Sequence, residues 1–362
     1  MIDRRTASGP LRLRPILKHR VWGGRKLERF GLELPPEGAV GEAWVLADLP
    51  ESVPEGRTPI VGGAFDGLTL REAIAANPAA ILGATPPTSG GDFPLLLKLL
   101  DARENLSVQV HPTPRFVDAN PGCHVKSEAW IILAAEPGAV IYKGLRPDCR
   151  ATADTTAFRE RVESGAIVED LHAIEVRPGE CHYLPSGTCH ALGAGILVAE
   201  VQTPSDTTFR VFDWGRTGRE LHLDAAVECI FDRGEAASSP AVPAAAAPKK
   251  RRGKGEGVPT APSPAAREQG PLRSALLCES ADFTITRLSA SADRAVQGPV
   301  GRREGATALF VIAGAIDFDD GVGPILAGRA AAIPAAAAPL AATFSPGAAA
   351  LVIDLPALRH LR

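Results

Sequence analysis

Residues 236–270, AASSPAVPAAAAPKKRRGKGEGVPTAPSPAAREQG, constrain the fold of this chain more than any other stretch. Val242 and Val258 are the only apolar side chains there larger than alanine or proline. A segment so poor in apolar surface cannot offset the entropy lost on ordering it. The chain therefore reads as two folded units, 1–235 and 271–362, joined by a low-complexity, disordered linker. The linker holds six basic residues and two acidic ones, Glu256 and Glu268. Taking these from the 39 basic and 42 acidic residues of the chain leaves 33 and 40, a net charge of about −7 for the folded remainder. That balance gives no electrostatic case for nucleic acid or an anionic membrane. KKRRGK at 249–254 reads as a solubilising charge run within the linker.

Hydrophobic content of 45% and charged content of 22% fit a folded globular protein. No window of about 18 apolar residues is present to span a bilayer. The nearest, 330–344, is mostly alanine interrupted by Pro334 and Pro339. The first twenty residues are basic but lack the apolar core of a secretory signal. Six cysteines (123, 149, 181, 189, 229 and 278) include no CxxC pair and read as reduced thiols. These features predict a cytoplasmic protein, monomeric or weakly homo-oligomeric, with neither nucleic-acid nor membrane partners.

Before the linker, most segments have strand character, bounded by Gly, Pro and Asp: 41–48, 93–101, 106–112, 128–135 and 195–202. Helical spacing occurs at 68–83 and 155–165. After the linker, 281–290, 306–318, 323–335 and 348–356 repeat the strand–turn–strand pattern. Strands do not alternate regularly with helices, which argues against a doubly wound sheet. The fold class is therefore mainly β, two sandwiches with a few short helices. No histidine lies between 223 and 359, so the second unit has no histidine-built metal site.

The chemistry-bearing motif is GECHYLPSGTCHALGA at 179–194. It matches G-x5-P-x-G-x2-H-x3-N of the cupin jelly roll through Gly179, Pro185, Gly187 and His190, with Ala194 in place of the terminal asparagine. A strand ends at Leu184, Pro-Ser-Gly turns the chain, and His190 enters the barrel from the returning strand. The other cupin motif begins with two ligands spaced as H-x-H. Here LSVQVHP offers Gln109 and His111, two apart and so on one face of a strand. Glu128 follows at a longer spacing than is usual in cupins. Gln109, His111, Glu128 and His190 form a mixed N/O donor set suited to Zn2+ or a similar divalent ion.

FPLLLKLLDARENLSVQVHP (93–112), KSEAW (126–130), the run from 177 to 216, and KHRVWGGRKL (18–27) resemble the type I mannose-6-phosphate isomerases, especially the short bacterial members. The resemblance covers most of 14–232 and over the C-terminal unit is only architectural. It implies interconversion of mannose 6-phosphate and fructose 6-phosphate through an enediol, with a small sugar phosphate as partner. It places the zinc ligands on His111, Glu128 and His190, with Gln109 as a further ligand. It places the catalytic arginine on Arg210 in SDTTFR, aligns Asp206, and matches Lys126 to the lysine two before the metal glutamate. Arg210 and Lys126 are then substrate-binding as well as catalytic. Two roles stay open for Asp206, base or orienting partner of Arg210. Several members carry histidine just before that lysine; Val125 stands there here, with His124 one place earlier. Lys98 in LLLKLL reads either as lining the site or as snorkelling from a half-buried strand.

Two other classes compete with the isomerase. A redox cupin would hold Fe(II), but Gln109 fills a position that oxygen chemistry leaves open. A non-catalytic sugar-binding bicupin would need neither the full donor set nor Arg210. For the linker, removal of 240–266 should leave activity and melting temperature nearly unchanged, measured by isomerase assay and thermal denaturation. A large loss of either would refute the linker reading.

Overall fold

Alternation along the strands decides which faces meet. The computed structural model describes residues 7–232 and 272–358, so the linker at 236–270 lies outside the described residues. Its strands are numbered in chain order. One six-stranded sheet runs β2 (Ile16–Gly24), β3 (Val40–Leu46), β4 (Leu96–Ala102), β11 (Ile196–Gln202), β6 (Glu128–Ala135), β9 (Cys181–Leu184). A five-stranded sheet faces it: β12 (Phe209–Phe212), β5 (Val108–Val110), β10 (His190–Leu192), β7 (Val140–Leu145), β8 (Leu171–Glu175). Leu100, Trp130, Ile132 and Val198 of the first sheet pack with Ile141 and Leu192 of the second inside this sandwich.

The opposite face of the six-stranded sheet is equally apolar. Leu97, Leu99, Ala129, Ile131, Ala199 and Val201 share one core with Phe283, Ile285, Phe310, Leu351 and Ile353. Those partners belong to a second six-stranded sheet ordered β1 (Leu11–Leu13), β19 (Ala330–Ile333), β16 (Thr307–Ala313), β21 (Ala349–Asp354), β14 (Thr284–Ala290), β13 (Leu272–Glu279). A four-stranded sheet completes the C-terminal lobe: β15 (Val296–Val300), β20 (Leu340–Phe344), β17 (Ala315–Asp317), β18 (Ile325–Leu326). The fold is mainly β, built from two jelly-roll sandwiches of the cupin type with short helices.

One strand departs from the reading of 1–235 as a self-contained unit. Leu11–Leu13 pairs antiparallel with Ala330–Ala332 of the C-terminal lobe. Arg12 fixes it there, donating from Nη1 and Nη2 to the two Asp320 carboxylate oxygens at 2.7 and 2.8 Å, and from Nη2 to Gly323 O at 2.7 Å.

The helical segment expected at 68–83 is two helices, Leu70–Ala76 and Pro78–Leu82. Thr69 and Glu72 form a capping box at the first start, and the Asn77 side chain accepts from Ala80 N at the second. Pro78 has no N–H to continue the first helix but suits the first turn of the next. The helix at Thr155–Glu163 buries Phe158 and Val162 against the outer face of the five-stranded sheet, with Val108, Val110 and Val211.

Before β4 the chain is held by Asp48, fully buried, whose Oδ2 accepts the Phe93 N–H at 2.7 Å. Its Oδ1 has no hydrogen-bond partner, and Arg57 Nε is 3.8 Å from it. Burial, reinforced by the charge of Asp92, pushes this carboxyl up to about 6 against the Phe93 hydrogen bond. The folded state thus binds this proton more tightly than the unfolded chain, so the stability carried here is full below about pH 4 and declines as pH rises through about 6. Asp48→Asn should raise Tm at pH 7.5, and the gain should vanish near pH 4; calorimetry at both pH values decides, and equal gains at both would contradict it.

Candidate metal centre

The turn at 185–187 brings the ligand strands together. β9 ends at Leu184, Thr188 N donates to Pro185 O at 3.1 Å, and β10 begins at His190. Gly187 sits at φ +79°, and a Cβ there would come within 2.9 Å of Thr113 and 3.0 Å of the Cys229 carbonyl. Only glycine fits both the conformation and the space. The Gly187 N–H donates to His111 O at 3.0 Å, so the turn is tied directly to the strand end that carries the other histidine. Pairing places His190 opposite Gln109, and Glu128 opposite both Leu184 and Gln202.

His111, Glu128 and His190 are all buried, and one ligand atom from each lies within 4.8 Å of the others. His111 Nε2 is 3.2 Å from Glu128 Oε2 and His190 Nε2 is 3.3 Å from Glu128 Oε1. His190 Nδ1 stands 2.7 Å from Thr188 O. A carbonyl only accepts, so Nδ1 donates to it and Nε2 is the nitrogen that faces the cluster. Gln109 Nε2 adjoins that nitrogen at 3.2 Å. Burial, with the charge of Lys126, pushes the His111 imidazole down to about 3, which leaves it neutral at physiological pH. Burial disfavours the charge of Glu128, but Lys126 and His111 outweigh it and hold the carboxyl well below its usual range.

Imidazole lone pairs facing an ionised carboxylate repel unless a cation lies between them. Glu128 Oε1 and His111 Nδ1 are buried polar atoms with no hydrogen-bond partner. The N2O donor set, with the amide of Gln109 beside it, fits a divalent cation of the zinc type. The thioether and thiolate ligands favoured by softer metals are absent from the cluster.

Lys126 joins this centre, with Nζ buried 3.1 Å from Glu128 Oε2. Lys98 does not snorkel to solvent. Its Nζ is buried 3.2 Å from Glu200 Oε1, in a cross-strand row of Trp44, Lys98, Glu200 and Trp130. Burial disfavours its charge, but Glu200, Glu42 and Glu128 hold its pKa above the usual lysine value. Glu200 Oε2 also accepts from Trp130 Nε1 at 3.0 Å, and Trp130 packs edge-to-face on His190 with centroids 5.4 Å apart. Sequence reasoning missed Glu200 and Glu42. A glutamate inside an otherwise apolar strand such as GILVAEVQ is the signal that finds the first, because such a residue stays buried only when paired.

Arg210 on β12 pairs opposite Gln109. Its Nη1 donates to Glu220 O at 2.7 Å, and its Nε is buried without a partner. Asp206 is exposed on the loop between β11 and β12 and forms no ion pair with Arg210 among the described residues. The C-terminal lobe comes close to the centre at Asp282, whose carboxyl is pushed up by burial against the opposing effect of nearby Ser127, the residue between Lys126 and Glu128.

Residues 11–128 match the family model for the phosphomannose isomerase type I catalytic domain. The mannose-6-phosphate isomerase ManA of Bacillus subtilis is 36% identical over 227 residues, which cover 61% of this chain and 68% of that protein. The chain belongs to the type I mannose-6-phosphate isomerase family. The mannose-6-phosphate isomerase of Streptococcus mutans is 33% identical over 238 residues, covering 64% of this chain and 71% of that one. Among solved structures, the mannose 6-phosphate isomerase of Bacillus subtilis superposes with a TM-score of 0.75 at 26% identity, covering 95% of this chain and 99% of that chain. A zinc-bound mannose 6-phosphate isomerase shares the fold at a TM-score of 0.66 and 18% identity, covering 97% and 100%. Within this type I isomerase, Zn2+ analysis of His190→Ala and Glu128→Ala should show near-complete loss of bound metal. Adding Zn2+ to stripped wild-type protein should raise Tm by mass action, and to neither variant. Full metal content in either variant would disprove the ligand assignment.

Proposed function

We propose that the chain interconverts mannose 6-phosphate and fructose 6-phosphate at one Zn2+ held by His111, Glu128 and His190, with Gln109 completing the set. The observation that carries this reading is the buried His–Glu–His cluster with Lys126 pressed against its carboxylate, in a chain of this family. The reaction moves a proton between C1 and C2 through an enediol, and negative charge develops on the two neighbouring oxygens. Bound Zn2+ would supply Lewis acidity toward those oxygens. Lys126 is positioned at the metal carboxylate to bind a substrate oxygen or carry a proton, and burial keeps its ammonium out of competition with bulk water. Arg210 lies on the strand face of Gln109 and offers a permanent, planar cation to the developing charge.

Lys98 contributes a buried positive charge that reaches Glu128 while Glu200 fixes its position. Asp206 stays in the scheme as a carboxylate available from the loop, without an orienting role toward Arg210. A cytoplasmic setting is supported by six free thiols, and a monomer or weak homo-oligomer by exposed large apolar side chains that lie on separate elements. No helix among the described residues is long and apolar enough to cross a membrane.

A coupled assay on mannose 6-phosphate tests the proposal. Purified protein should produce fructose 6-phosphate, lose activity with chelator and regain it with Zn2+; no product under any metal condition would refute it. Arg210→Ala should lower kcat by about 10²–10³ with Zn2+ content unchanged, and Arg210→Lys should recover little of it. Unaltered kcat and KM in both variants would make Arg210 a structural residue.

A further inference from the structure

We infer that Cys181 and Cys278 form a redox clasp between the two lobes, a thiol pair that hydrogen peroxide closes to a disulfide and a dithiol reopens. The pair lies outside the metal centre, and the inference does not rest on the isomerase reading.

Two edge strands bring these cysteines to one place. Cys181 opens β9, the edge of the N-terminal six-stranded sheet, and Cys278 lies near the end of β13, the edge of the sheet packed on it. Cys181 pairs opposite Ile131, and both face the core shared by the lobes. On β13 the ladder with β14 shifts register between Leu276 and Cys278. Leu276 is 46% exposed, whereas Cys278 is 3% exposed and lies opposite Ile285 in that same core. A register shift of this kind re-aims the side chains beyond it. β9 and β13 approach to Cα separations of 8 Å or less. Beside the pair, Tyr183 and Phe283 meet edge-to-face with centroids 6.2 Å apart. The Cα atoms of a disulfide sit about 4.4–6.8 Å apart, so strands this close need little movement to be joined.

Their chemistry sets these thiols apart from the other four. Cys123, Cys149, Cys189 and Cys229 belong to the separate core behind the five-stranded sheet, where burial pushes Cys229 up to about 11. Neighbouring Cys181 instead draws Cys278 below the usual thiol value, against the effect of burial. Cys278, reinforced by burial, holds Cys181 well above that value. A thiolate beside a retained thiol is oxidised to a disulfide in preference to higher acids, because the second sulfur resolves the sulfenic acid formed on the first. Cys181 is half-buried, which gives the oxidant an approach. In the whole step the two thiols lose two electrons and two protons and one S–S bond forms. The O–O bond of one hydrogen peroxide breaks, and two waters leave. A dithiol reverses the closure and is itself oxidised to a disulfide. Because β9 continues through the turn at 185–187 to His190, the closed clasp fastens the C-terminal lobe to the strand that leads into the metal centre.

Titration of reduced wild-type protein with hydrogen peroxide tests the clasp. Free thiols counted after unfolding should fall from six to four. Non-reducing peptide mapping should find one link, Cys181 to Cys278, that dithiothreitol removes. With both forms loaded with Zn2+, Tm should be higher in the oxidised protein by roughly 5–10 °C, as a bond closing a loop of about 100 residues implies. Cys181→Ser and Cys278→Ala should each show no such gain. Six retained thiols, a link between any other pair, over-oxidation of these cysteines without a link, or a link that leaves Tm unchanged would overturn the inference. The mapping decides on wild-type protein even where a variant fails to fold, and no readout involves a sugar phosphate.

Discussion

The fully buried carboxylate of Glu128 is the group on which the rest of this structure depends. Removing an ionised carboxyl from water costs several kcal/mol or more, and the cost is offset only by neighbours placed to receive it. Here those neighbours come from separate parts of the chain: His111 at the end of β5, His190 opening β10, and Lys126 two residues before the glutamate itself. Each must arrive by its own strand register. A one-residue slip in any of these strands would turn a ligand to the opposite face and leave the charge uncompensated.

The same logic extends across the six-stranded sheet. Glu42, Lys98 and Glu200 are charged residues on strands that are otherwise apolar, and each is held by the next. Arg20 bonds Glu42 from the edge strand at 2.9 and 3.1 Å, and Trp130 links Glu200 to the His190 ring. The interior of the sandwich is therefore a polar assembly between apolar rows. Such networks are worth much when complete and costly when one member is removed, because the partners then remain buried and unpaired.

Much of this was legible in the residues themselves. Alternation located β6, β11 and β14, and the Pro-Ser-Gly turn placed His190, because those signals are local. The pairing of Gln109 and His111 on one strand face followed from a period of two. What stayed hidden was non-local. Leu11–Leu13 is too short to announce itself, and its partner strand lies at 330–333. Lys98 reads as a snorkelling lysine until Glu200 and Glu42 are seen beside it, and nothing near it in sequence supplies them.

The pairing of β1 has a consequence for how the protein comes off the ribosome. Arg12 and Asp320 are 308 positions apart, so although this segment also bonds the backbone of Pro59 and Val61, its pairing with 330–332 and its Asp320 ion pair wait for the C-terminal lobe. Meanwhile the outer face of the N-terminal six-stranded sheet, with Leu97, Leu99, Ile131 and Val201, waits for a lobe not yet synthesised. Contacts of such wide separation slow folding and prolong the exposure of apolar surface. The C-terminal lobe, without histidine among its described residues, thus serves as the cover without which the sandwich that carries the donor set would keep an adhesive side.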